Sequence, residues 1–184
     1  MLLRRLPALL CAAACGQARP PPTCEFAGDA AQPVQLEAFA LDASGAPAVL
    51  REGDAVLLQR PPQGGYVIYA GVAARNLEPC GVTVTAYLID RATGNALTNL
   101  DQRRADLTSQ SNGYGFPAQS YTQTPNIPAC PDALHAGVVG RAAILHAELT
   151  DARSRGATIE VGVIASCASD ARCACLCGPN PSQC

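Results

Sequence analysis

The chain has 184 residues, enough for one domain with short appendages rather than two full domains. Hydrophobic residues make up 48%, charged residues 15%, and the net charge is −2, which excludes a charged disordered chain and offers no field for nucleic-acid phosphates. No apolar run reaches the roughly 18 residues of a membrane-spanning helix, whereas ten cysteines without a tryptophan point to an oxidising compartment. All 13 basic residues are arginine, beside 34 alanines, the stamp of a GC-rich genome rather than of a function.

The chain opens on an export pattern. Arg4 and Arg5 form a positive start, Leu6 to Ala14 form a short apolar stretch, and Cys15-Gly16 follow three alanines. Ala12-Ala13-Ala14-Cys15-Gly16 resembles the lipobox of bacterial lipoproteins, with Ala12 where that family prefers leucine. The resemblance implies a diacylglycerol on Cys15 and cleavage just before it, with palmitate the expected kind of acyl chain. The mature chain would then lose two arginines and carry a charge of −4. Residues 1–14 are thus read as a lipoprotein signal peptide. Residues 15–31 are the lipidated cysteine and a spacer, stiffened by Pro20-Pro21-Pro22.

Cysteine parity agrees. With Cys11 removed and Cys15 lipidated, eight remain: Cys24, Cys80, Cys130, Cys167, Cys173, Cys175, Cys177 and Cys184. Eight permit four disulfides, with the pairing left open.

From residue 32 to 167 the pattern has period two. Val34, Leu36, Ala38 and Ala40 share one face, while Phe39 and Leu41 lie on the other, so this strand is expected to be covered on both sides near its end. Asp42 to Gly45 reads as a turn, and Asp54 to Gln59 as a short apolar strand. Tyr66 to Leu77 alternates, and in Cys80 to Asp90 Val82, Val84, Ala86 and Leu88 face inward. Asp90 to Asn95 is the next turn, and Leu97 to Leu107 a weaker strand. Ala142 to Thr150 and Thr158 to Cys167 alternate on either side of a turn at Asp151 to Gly156. A helix over Val138 to Leu149 is the alternative, since alanine and leucine are good helix formers. About seven β-branched-rich strands between Gly, Pro and Asn turns predict an all-β fold, an antiparallel β-sandwich.

Pro61-Pro-Gln-Gly-Gly65, Val72 to Leu77, Cys80 to Asp90, Asn126 to Pro131 and the closing strand to Cys167 resemble a group of lipoproteins of myxobacteria-like bacteria. These carry a single immunoglobulin-like β-sandwich and no assigned activity. The resemblance spans about residues 54 to 167. It implies an immunoglobulin-like antiparallel sandwich in a cell-envelope lipoprotein, and a disulfide between Cys80 and Cys130.

Between Leu107 and His135 lies a polar stretch longer than the roughly 12–15 residues of most loops. It holds Tyr114, Phe116 and Tyr121. These are either contacts for a glycan or protein, or rings folded over the sandwich edge. Residues 168–184 form a Cys-rich tail. Read as extended chain, Cys173-Ala-Cys-Leu-Cys177 carries three cysteines at alternate positions. A small disulfide knot, with Cys24 as one tie, is one reading. The other is soft-metal handling, since thiolates favour copper and zinc, but Cys-x-x-Cys spacing and a nearby histidine are lacking.

No nucleophile elbow, His-Glu-x-x-His, P-loop or dinucleotide fingerprint occurs, and His135 and His146 stand outside any motif. The expectation is a non-catalytic protein without a cofactor, held at the outer membrane or cell surface by its lipid. A secreted or periplasmic protein is the alternative location. An envelope protein or glycan is the expected partner, and nucleic acid is not.

Overall fold

A computed structural model describes residues 27–130, 137–180 and 184. Residues 1–14, read above as a signal peptide, and Cys15, Cys24, the triple proline and His135 lie outside the described residues. In chain order the elements are β1 (Gln35–Leu41), β2 (Pro47–Val49), β3 (Asp54–Leu57), β4 (Tyr66–Arg75), β5 (Val82–Asp90), β6 (Asp101–Ala105), β7 (Leu107–Ser109), β8 (Gly115–Pro117), α1 (Ser120–Gln123), β9 (Asn126–Cys130), β10 (Ala142–Thr150), β11 (Gly156–Ser166) and α2 (Ala171–Cys177).

Two sheets face each other. One runs β2-β1-β4-β8-β7, with β9 also paired to β4. The other runs β3-β11-β10-β5-β6. Every pairing is antiparallel except that of β3 with β11. The period-two pattern explains the second sheet. In β5 the four apolar residues Val82, Val84, Ala86 and Leu88 are buried, while Thr83, Thr85 and Tyr87 lie on the outer face. In β10 Ala143, Leu145, Ala147 and Leu149 do the same, so the helical alternative for this stretch gives way to a strand.

The first sheet is buried on both faces along β4 and the end of β1. Ile68, Ala70, Val72 and Ala74 of β4, with Ala38 and Ala40 of β1, enter the core between the sheets. Val67, Tyr69 and Ala73, with Phe39 and Leu41, form a second cluster on the outside, closed by Phe116 of β8. The phenylalanine rings of residues 39 and 116 lie 5.3 Å apart. Double cover of β1 thus matches its sequence pattern.

Three aspartates set the turns. Oδ1 of Asp42 accepts from Ser44 and Ala46 N–H, that of Asp90 from Ala92 and Thr93, and that of Asp151 from Arg153 and Arg155. All three turns were expected at these positions.

Three expectations change. The segment from Leu107 onward is not one long loop: β7, β8, α1 and β9 divide it, because its rings and Ile127 have apolar surface to cover. Residues 27–33, partly assigned to the spacer, already belong to the folded body. Ala27 is buried and bridges Leu77, and the Asn76 side chain accepts from Asp29 N–H and donates to Pro33 O. Cys173, Cys175 and Cys177 of the tail lie on a helix, not on an extended chain.

Candidate functional site

The tail closes one end of the two facing sheets, the base of the fold. Asp170 caps α2: its Oδ1 accepts from the N–H groups of Arg172 at 3.0 Å and Cys173 at 3.1 Å. Its Oδ2 accepts from the Tyr66 hydroxyl at 2.9 Å, tying the helix to the start of β4. The backbone bond from Cys173, aided by the Tyr66 hydroxyl, holds the Asp170 carboxyl below its ordinary value. Burial, then the hydrogen bond to Asp170, pushes the Tyr66 phenol up.

A helical turn puts Cys173 and Cys177 on one face and Cys175 on another. Cys173 and Cys177 are fully buried, whereas Cys175 is exposed. Cys177 pairs with Cys130 at the end of β9, and Cys173 with Cys167 just past β11. The helix is therefore fastened to both sheets. Cys175 pairs with Cys184 on the outside. Cys80 is also disulfide-bonded. The Cys80–Cys130 pair implied by the family resemblance is thus corrected. Cys130 ends β9 beside the buried face of α2, and its sulfur is taken by Cys177. The four base cysteines are at most 6% exposed, and the sulfurs of Cys167, Cys173 and Cys177 lie within 4.8 Å of one another.

The three candidate contact rings part ways. Phe116 is buried in the outer cluster and so is a packing residue, not a ligand contact. Tyr114 is half-buried beneath Arg75, whose guanidinium carbon sits 4.9 Å from the ring centre. Arg75 in turn donates to Gln35. Tyr121 of α1 stays 46% exposed. Its ring stands edge-on to Tyr69 at 4.9 Å and lies over Gly45. A Cβ on Gly45 would come within 2.8 Å of that ring, and Gly45 has φ +81°, so glycine is needed there on both counts. Burial raises the Tyr69 phenol above its ordinary value.

Tyr69 and Tyr121 line a cleft of about 350 Å³ with Gln59, Arg60, Pro61 and Pro62. Gln59 is fixed by donating to the carbonyl oxygens of Leu41 and Asp42. The cleft offers flat rings, an amide and a guanidinium. That set suits stacking and hydrogen bonding rather than acid–base work. Sequence reading found Tyr121 but missed its partners, because the isolated bridge that pairs Gln59 with Val67 leaves no periodic signal.

On the outer face of the second sheet, His146 lies between Tyr87 and Glu160, its cross-strand neighbours. Its Nδ1 is 2.9 Å from Glu160 Oε1, and its ring is 4.8 Å from that of Tyr87. These are the side-chain pairs a sheet makes across its strands. Among the described residues, no helix is long and apolar enough to cross a membrane. No protein-family model, curated protein or solved structure matches the chain.

Proposed function

We propose that this chain is a non-catalytic lipoprotein of the cell envelope. It would display a disulfide-stapled, immunoglobulin-like β-sandwich at the outer membrane or cell surface. The observation that carries the reading is the base of the fold. Both sheets are locked to a seven-residue helix through Cys130–Cys177 and Cys167–Cys173, an arrangement suited to an oxidising compartment. Such a compartment is where the Arg4-Arg5 start and the Ala12 to Cys15 pattern would send the chain. Diacylglycerol on Cys15 supplies two acyl chains, enough for a firm hold.

The strand order supports the immunoglobulin-like reading. β5, β10 and β11 stand as the C, F and G strands of one sheet, and β4 and β9 as B and E of the other. β3 runs parallel beside the last strand, and β6 flanks β5. The β1–β2 pair and the β7–β8 hairpin are additions to that frame. The cleft between Tyr69 and Tyr121 is the binding surface we assign, for an envelope glycan or protein.

The test is metabolic labelling. Radiolabelled palmitate should enter the wild-type chain in the membrane fraction but not a Cys15→Ala variant, which should be released. Equal labelling of both, or no labelling of either, would overturn the anchor.

A further inference from the structure

We propose that the reduced chain holds one soft divalent ion, of the zinc class, between Cys130, Cys167, Cys173 and Cys177. This goes beyond the envelope reading and does not depend on the lipid anchor. A tetrahedral thiolate site with metal–sulfur bonds of about 2.3 Å has sulfurs about 3.8 Å apart. The sulfurs of Cys173 and Cys177 already stand 3.9 Å apart. The fourth residue, Cys130, reaches the cluster through its bond to Cys177. The Cα atoms of the two bonded pairs are 5.4 and 5.6 Å apart, so side-chain rotation alone can part the sulfurs to the tetrahedral edge. Three elements supply the ligands: β9, the end of β11, and one face of α2. These are the same elements the disulfides fasten, so the base has two interchangeable clasps. Cys175 and Cys184 pair on the outside of the helix and take no part.

The chemistry balances as follows. Each of the two disulfides takes two electrons and two protons from a dithiol reductant, which itself closes to a disulfide. The four thiols formed then release four protons as they bind one divalent ion, leaving a site of net charge −2. Metal affinity therefore rises with pH, and an oxidant excludes the metal.

The test uses the full chain, reduced without oxygen, freed of reductant and titrated with cadmium(II) as a zinc-class probe. One equivalent should bind, with thiolate-to-metal absorption and release of four protons. A Cys175→Ser/Cys184→Ser variant should retain this equivalent, and a Cys173→Ser/Cys177→Ser variant should lose it. Alkylation of the metal-loaded wild type, followed by peptide mapping, gives a readout that needs no variant. It should spare Cys130, Cys167, Cys173 and Cys177 while modifying Cys175 and Cys184. Absent or non-saturating binding would overturn the proposal, and so would alkylation at equal rates across all the tail cysteines.

Discussion

Removing Cys130–Cys177 should cost much more than removing Cys175–Cys184. The first closes a loop of 47 residues in sequence separation, the second one of 9. Loop entropy in the unfolded chain then gives about 4 kcal/mol for the first and about 2.6 kcal/mol for the second. The Cys167–Cys173 link nested inside the long loop spans only 6 residues and changes this little. Burial widens the gap, because Cys130 and Cys177 pack in the core while Cys175 and Cys184 are exposed. The variants are Cys130→Ala/Cys177→Ala and Cys175→Ala/Cys184→Ala, each free of a new unpaired thiol. With a urea slope of about 2 kcal/mol/M, the midpoints should fall by about 2 M and about 1.3 M. Equal shifts, or a larger shift for the outer pair, would refute the view that the inner pair staples the sheets.

The two-sided burial of β1 and β4 makes its own prediction. Phe39→Ala should cost about 3–5 kcal/mol in chemical denaturation, whereas Tyr121→Ala, at a largely exposed ring, should cost less than about 1 kcal/mol. Similar losses would refute the assignment of Phe39 to packing and Tyr121 to the cleft. The Tyr66–Asp170 bond sets a pH response. Asp170 is held below its ordinary 3.8, so its contribution is full above that value and is lost as pH falls through the folded-state value. Tyr66 lies above its ordinary 10.0, so its contribution is full below pH 10 and is lost as pH rises past the folded-state value. The stability difference between wild type and Tyr66→Phe should therefore be largest between these limits and shrink at both ends, and a flat difference would contradict the bond. Finally, Cys80 is disulfide-bonded while the other six described cysteines pair among themselves, which leaves Cys24 of the eight. An unreduced peptide map should return Cys24 linked to Cys80, and a Cys80 bridge to any other cysteine would refute that pairing.

What the sequence shows well is what repeats. The alternation in β5 and β10, and the aspartates at 42, 90 and 151, each carry a local cause that needs no partner. The double cover of β1 was legible from Phe39 and Leu41 opposite Ala38 and Ala40. The three-residue strands β2, β7 and β8 were not, because they are too short to show a period and exist only through their pairing. Phe116 was open to both readings, ligand contact or edge packing, because a polar stretch surrounds it, and only the facing Phe39 decides for packing. The tail helix did leave a signal. Asp170 is an N-cap residue, and Ala171, Ala174 and Leu176 favour a helix. Dense cysteines suggest an extended knot instead, although the spacing of four between Cys173 and Cys177 is also a helical one. The Tyr69–Tyr121 cleft draws on three separate segments, and no single stretch of sequence announces it.

The most direct measurement is the intact mass of the protein taken from its native membrane fraction, without reduction and after exposure to a thiol-blocking reagent. The account predicts a chain beginning at Cys15, heavier by its lipid and lighter by eight hydrogens, with no blocked thiol. An unlipidated chain would contradict the anchor, and a mass raised by blocked thiols among Cys130, Cys167, Cys173 and Cys177 would contradict the staple.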